Sequence, residues 1–190
     1  MLNEMLRRLE YVKMLPLIDN KGVYLHLGCG PNIFPGFVNV DKFDIRPGVT
    51  NWDIGKIEMN ESTVDAIYSS HSLEHLSIRD GIRALRNWHH VLKWGGTLYL
   101  AVPDLKEICL KMTQGNVEHI QSWWIYTLFG YQAPTESKGI DVPNEPGQYH
   151  MSGYTVETLQ HELQQIGFKV DQIFTYDGWG TPSIWVEAKK

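Results

Sequence analysis

Cysteine is almost absent from this chain: Cys29 and Cys109 are its two thiols in 190 residues. Two cysteines cannot build the disulfide framework of a small secreted domain, so both are read as free thiols in a reducing, cytoplasmic setting. Long apolar runs are missing as well. No stretch reaches the roughly 20 consecutive apolar residues that span a bilayer, and the opening MLNEMLRRLE has no apolar core of a secretory signal. No membrane partner is expected. Positive charge is in deficit, with 17 Lys and Arg against 22 Asp and Glu and a net charge of −5. That balance argues against a nucleic-acid backbone as the main partner. Repeats and low-complexity tracts are also lacking. A length of 190 residues with 43% hydrophobic content suits one domain, residues 1–190, with a full core.

Glycine is present at one decisive place. Val23-Tyr24-Leu25 and Leu27 form a short apolar run suited to a buried parallel strand, and the chain then breaks into Gly28-Cys29-Gly30. Two glycines around one residue permit a sharp turn and a close ligand approach. A second apolar run, Phe37 to Val40, ends in Asp41, whose carboxylate could accept both hydroxyl protons of a ribose. Between the two runs stand six residues, Pro31 to Gly36, with a proline near each end, too few for more than about one helical turn. A dinucleotide fold would need a helix there and a third glycine where Ile33 stands. Both departures disfavour a pyrophosphate ligand, and with it a nicotinamide oxidoreductase.

The remaining chain alternates strand and crossover. Residues 1–16 carry one apolar helical face ended by Pro16, expected as a helix bracing the sheet. Val49 to Ile54 reads as a short edge strand ending at Trp52-Asp53. Asp53 is then either a second acid on the same rim or a turn former. Val64 to Ser69 is a strand. A helix is expected from Ile78 to Leu92, capped by Ser77 and Asp80, with Ile78, Ile82, Leu85 and Leu92 as its apolar face and Gly95-Gly96 closing it. Thr97 to Val102 is a buried strand. Residues 105–149 form an insertion on the substrate side. They begin with a helix at Leu105–Met112 and carry the aromatic cluster Trp123 to Phe129, which serves either core or site. Thr155 caps a helix from Val156 to Ile166 that Gly167 ends. Lys169–Thr175 and Ser183–Ala188 are joined so closely that they must be antiparallel. The whole predicts an α/β fold around a mostly parallel sheet.

LHLGCGP, VNVD, NWDI, VDAIYSSHSLEHL and GG-TLYLAVPD, in that order, resemble the class I S-adenosylmethionine-dependent methyltransferases, most closely their small type 11/12-like members. The resemblance covers about two thirds of the chain, Val23 to Asp104 and again His150 to Phe168. It implies a Rossmann-like seven-stranded sheet with the last strand antiparallel beside the fifth and helices on both faces. It implies S-adenosylmethionine as cofactor. Leu27, Gly28, Cys29 and Gly30 would pass under its methionine part, and Asp41 with the adjacent Lys42 would lie at the ribose. Asp53 would hold the adenine amino group between Trp52 and Ile54, and Ser70 and His71 would lie below the sulfonium. This agrees with the residue reading, because S-adenosylmethionine has a ribose and no pyrophosphate. The crossover helices after the first two strands are nearly absent, so the N-terminal helix or a second copy in a homodimer is expected to cover that sheet face. The acceptor is expected to be a small molecule or glycan, methylated on oxygen or nitrogen. The alternative is a non-catalytic S-adenosylmethionine-binding regulatory module.

Methyl transfer is an in-line attack on an activated carbon, so alignment matters most, and a hydroxyl acceptor also needs a base. His150 ranks first for that role, His71 second, with Tyr154 one helical turn beyond His150. His71-Ser72-Leu73-Glu74-His75 also matches an inverted zinc-protease pattern, HxxEH. That pattern needs both histidines on one helical face and a third, distant ligand, whereas here it straddles a strand-to-helix junction. Glu74 and His75 are therefore expected to pack or cap the junction, and no metal is expected.

Overall fold

The computed structural model describes residues 22–114, 123–130, 148–178 and 181–190. The expected N-terminal helix of residues 1–16 and most of the 105–149 insertion lie outside them. Seven strands form one sheet: β1 Tyr24–Leu27, β2 Val38–Val40, β3 Val49–Thr50, β4 Val64–Ser70, β5 Leu92–Pro103, β6 Lys169–Gly178 and β7 Thr181–Lys189. Their order is β3-β2-β1-β4-β5-β7-β6, and β7 lies antiparallel between β5 and β6. The other pairings are parallel. Four helices are described: α1 Ile78–Val91, α2 Leu105–Gln114, α3 Trp123–Phe129 and α4 Val156–Ile166. No helix among the described residues is long and apolar enough to cross a membrane.

Alternation along the strands gives the sheet two apolar faces. Leu25, Leu27, Ile67, Leu98, Leu100, Ile184 and Val186 face α1 and α4 in the larger core, where Trp88 and Leu159 are fully buried. Tyr24, Tyr68, Tyr99 and Trp185 make a second, aromatic cluster on the other face. Phe34 and Phe37 pack on it, from the loop that replaces the first crossover helix. That loop is held by Asn39, whose side chain bonds the backbone of Phe34 and Phe37. So the short proline-bounded segment covers part of this face in place of a helix.

Boundaries differ from the sequence reading in several places. β3 ends at Thr50 rather than at Trp52-Asp53. α1 ends at Val91, because Leu92 is already extended at ψ 139°. Gly95-Gly96 therefore lie inside β5, where Gly95 takes φ 78° to bend the strand start. The buried face of α1 is Gly81, Ala84, Leu85, Trp88 and Val91, while Ile78 is 66% exposed. The expected caps hold: Ser77 Oγ accepts from the Asp80 N–H, Thr155 and Thr158 form a capping box, and Gly167 is left-handed at φ 114°.

His26 sits on the aromatic face, stacked on Phe34 at 4.2 Å and 3.1 Å from Asn39 Oδ1. Burial lowers its pKa to about 4, against the opposing pull of Asn39 and the Asp41 charge. The unfolded chain takes up this proton near its ordinary 6.5, and the folded chain does not. Stability from this residue is thus present above about pH 6.5 and is lost as pH falls toward about 4. At about 1.4 kcal/mol per pKa unit, the loss between pH 7 and 4.5 is about 2 kcal/mol. Urea unfolding at both pH values should show a smaller difference for His26→Gln than for wild type by about that amount. Identical pH dependence in the two proteins would contradict the assignment.

Candidate active site

A cleft of about 1200 Å³ opens at the carboxyl ends of β1, β2 and β4, where ligands bind in open parallel sheets. Gly28, Cys29, Gly30, Asp41, Lys42, Asp53, Ile54, Ser70 and His71 all line it. Leu27 and Trp52 do not. Leu27 alternates onto the core face and is fully buried, and the Trp52 ring packs on that same core after the chain turns at Thr50. Both support the wall from behind.

The glycine turn is built from the backbone. The amides of Gly28 and Cys29 both donate to the Val40 carbonyl, at 2.8 and 3.0 Å, which fastens the turn to β2. Gly28 at φ 68° and Gly30 at φ 47° need the left-handed region. Their surroundings differ. A Cβ on Gly28 would lie 2.0 Å from Ser72 Oγ and 2.5 Å from Ser72 Cβ, whereas one on Gly30 would meet nothing within 4 Å. Gly28 thus admits a protein side chain, and Gly30 is the glycine open to a ligand. The Cys29 thiol is buried and pushed up to about 11, by burial first and by Asp41 and Asp44 next, so it stays protonated at neutral pH.

Asp41 organises the loop as well as ending β2. Oδ2 accepts from the Gly30 N–H at 2.9 Å, and Oδ1 from the Phe43 and Asp44 N–H groups at 2.8 and 3.2 Å. A carboxylate has about four acceptor positions, so one remains on Oδ2. Asp53 forms both the turn and the rim. Its Oδ1 accepts from the Gly55 N–H at 2.8 Å, and Oδ2 pairs with Lys42 Nζ at 2.7 Å. Burial raises the Asp53 carboxyl, but the Lys42 and Gly55 hydrogen bonds outweigh it and hold the pKa low. Helix α1 fixes this rim from below: Trp88 Nε1 donates to the Ile54 carbonyl at 2.7 Å, and Asn87 bonds both N–H and C=O of Ile57. Arg46 was not singled out in the sequence. It pairs with Asp44 and donates to the Gly30 carbonyl at 2.9 Å, closing the loop over the glycine turn. The Pro47-Gly48 turn beside it is the one sequence signal that could have marked it.

At the opposite end of the cleft stands His71, a non-glycine residue at φ 51°. Such backbone strain concentrates at functional positions. Its side chain is 26% exposed, with Nδ1 3.5 Å from Glu74 Oε1 and Nε2 3.3 Å from Ser183 Oγ. Glu74 lies on a 3-10 turn, Leu73–His75, and is 1% exposed. Burial raises its carboxyl, and His71, His75 and His150 together outweigh that and leave the pKa lowered. His150 does not line the cleft. It stands behind His75 with Nε2 4.0 Å from Glu74 Oε1, and burial lowers its pKa. Tyr154 is buried against α1, its hydroxyl 3.4 Å from Ser152 Oγ and also raised in pKa by burial. The Leu105 N–H to Tyr154 carbonyl bond, at 2.9 Å, anchors that segment to the end of β5 and keeps the ring in the core. So of the three catalytic candidates, His71 alone reaches the cleft wall. The junction motif is tied to backbone as expected: His75 Nδ1 lies 3.1 Å from the Tyr149 carbonyl. Two side chains of the motif, Glu74 and His75, converge with His150 from the distant return segment, with one ligand atom of each within 4.8 Å of the others.

A family model described as a methyltransferase domain matches residues 3–173. No curated protein matches the chain in sequence. Among solved structures it is similar to an S-adenosylmethionine-dependent methyltransferase of Archaeoglobus fulgidus, with TM-score 0.66 and 14% identity over 98% of this chain and 94% of that one. One from Methanosarcina mazei gives TM-score 0.65 and 14% identity over 94% and 96%. The Burkholderia thailandensis 1,6-didemethyltoxoflavin-N1-methyltransferase, solved with S-adenosylhomocysteine, gives 0.64 and 13% over 99% and 79%. At these identities the likeness is one of fold. The family match, however, spans nearly the whole chain, and it coincides with a cleft at the glycine turn and β2 acid: the chain belongs to the methyltransferase domain family, as a class I enzyme with S-adenosylmethionine as its cofactor.

Proposed function

We propose that the enzyme methylates an oxygen or nitrogen of a small-molecule or glycan acceptor, in the cytoplasm, with the acceptor held beside His71. The observation that carries this reading is the cleft itself. Pockets for single small ligands run to about 1,000 Å³ at most. At about 1200 Å³, this one has room for an acceptor next to a nucleoside. In this reading the cofactor lies across the glycine turn. Gly30 passes under the methionine part, the open position of Asp41 takes a ribose hydroxyl, and the Asp53–Ile54 rim with Lys42 borders the adenine. Ser70 and His71 then face the sulfonium. An acceptor lone pair forms the new bond to the methyl carbon, the carbon–sulfur bond breaks, and its electron pair returns to sulfur, giving S-adenosylhomocysteine. His71 takes the proton of a hydroxyl acceptor. Alignment supplies most of the rate and the base a further factor of about 10²–10⁴.

The test is S-adenosylhomocysteine release across a panel of sugars, phenols and amines. At least one class should support acceptor-dependent turnover, with kcat about 100-fold lower in His71→Gln and cofactor affinity unchanged. Turnover indifferent to His71→Gln would remove the residue from the mechanism.

A further inference from the structure

Glu74, His75 and His150 meet just behind the cleft wall, with one ligand atom from each lying within 4.8 Å of the others. Glu74 is 1% exposed, and its carboxylate oxygens make no hydrogen bond beyond the long 3.5 Å contact of Oε1 with His71 Nδ1. A buried carboxylate left in that state is costly and calls for a counter-charge. The groups around it are imidazoles: His71 Nδ1 at 3.5 Å, His150 Nε2 at 4.0 Å, and His75, whose ring meets that of His150 at 4.9 Å.

The outer contacts of the two histidines point the same way. The Tyr149 carbonyl can only accept, so His75 Nδ1 carries a proton there and Nε2 is the nitrogen left to face a ligand. The His150 ring bonds the backbone of Thr127, while its Nε2 faces Glu74. Metal-binding histidines are held in this manner, one nitrogen on a backbone carbonyl or carboxylate and the other on the ion. The two halves of the cluster are also fixed to each other, because the Met151 and Ser152 N–H groups donate to the Glu74 carbonyl at 2.8 and 3.1 Å. The fold therefore brings the donor set together without an ion.

We propose that Glu74, His75 and His150 bind one divalent transition-metal ion of the zinc class, with an open coordination position toward the methyl-transfer cleft. One carboxylate and two imidazoles suit Zn²⁺, Co²⁺ or Fe²⁺ better than Mg²⁺ or Ca²⁺, which prefer all-oxygen sites. Three protein ligands leave a fourth position for water or substrate. His75, together with Met151, lines the cleft, so that position is reached from the acceptor side. Resting on the methyl-transfer reading, the ion would select hydroxyl acceptors by lowering the pKa of a coordinated hydroxyl.

The test uses untagged, metal-free protein titrated with Zn²⁺, Co²⁺ and Mg²⁺ by calorimetry, with the Co²⁺ visible spectrum as a report on ligand type. One equivalent of Zn²⁺ should bind at micromolar Kd or tighter and Mg²⁺ at least 100-fold more weakly. Zn²⁺ affinity should fall at least 100-fold in Glu74→Gln and in His150→Gln, each with the wild-type circular dichroism spectrum, and stay unchanged in His161→Gln at an exposed position of α4. No Zn²⁺ binding by wild type, or binding that survives both substitutions, would overturn the site. Wild-type binding of S-adenosylhomocysteine is measured on the same metal-free sample. Its presence without Zn²⁺ binding removes the metal alone, and Zn²⁺ binding without it removes the methyl-transfer reading alone.

Discussion

Gly28→Ala is expected to destabilise the enzyme by about 2–5 kcal/mol and to abolish cofactor binding. Two effects add at this position. The alanine would have to hold φ 68°, and its Cβ would enter the space of Ser72. Rotation of the serine hydroxyl removes the 2.0 Å contact but leaves the 2.5 Å contact with Ser72 Cβ. Ser72 cannot retreat, since it is buried between Gly28 and the turn that carries Glu74. Relief would have to come from the glycine turn, whose amides are bonded to Val40. Gly30→Ala is the comparison. Its Cβ meets no protein atom, so its folding cost is the left-handed backbone alone, about 1–2 kcal/mol, while its methyl projects into the cleft. Denaturant unfolding should rank wild type above Gly30→Ala and that above Gly28→Ala. Equal stability of the two variants would contradict the close approach to Ser72.

Asp41→Ala should raise the Kd for S-adenosylhomocysteine by at least about 100-fold, or about 2.7 kcal/mol. The carboxylate holds three backbone amides, those of Gly30, Phe43 and Asp44, in addition to any ribose hydroxyl. Hydrogen bonds to a charged acceptor contribute about 1.5–3 kcal/mol each, so the loop is expected to lose its shape along with the direct contact. Asp41→Asn should fall between the two. Its amide oxygen can serve Phe43 and Asp44, but its NH₂ then faces the Gly30 N–H, donor against donor. Calorimetry on the three proteins gives the ranking. Equal affinity in Asp41→Ala and wild type would remove Asp41 from the cofactor site.

Much of this arrangement is legible in the sequence, for identifiable reasons. Apolar runs that end in Gly28 or Asp41 mark strand ends, and strand ends define the rim of a parallel sheet. The missing helix after Gly30 is visible from Pro31 and Pro35 alone. What the sequence hides is pairing over distance. Ser72 under Gly28 lies 44 residues away in the chain. His150 behind Glu74 lies beyond an insertion whose length says nothing about where it returns. Periodicity misplaces Ile78 because a helical period identifies a stripe but not where its first turn leaves the core. The resemblance puts Trp52 beside the adenine, whereas the chain turns where the Trp52 N–H bonds the Thr50 carbonyl and the ring packs on the core. The HxxEH pattern shows in the sequence that a third group would have to come from a distance, but not that His150 is the residue that comes to Glu74 and His75.

The most direct measurement of the central claim is calorimetric titration of the wild-type enzyme with S-adenosylmethionine, S-adenosylhomocysteine and NAD, with Asp41→Ala alongside. One site of micromolar affinity for both sulfur nucleosides, lost in Asp41→Ala and absent for NAD, is the predicted result. No binding of either sulfur nucleoside, or binding of NAD with equal affinity, would contradict it and return the glycine turn to a purely structural role.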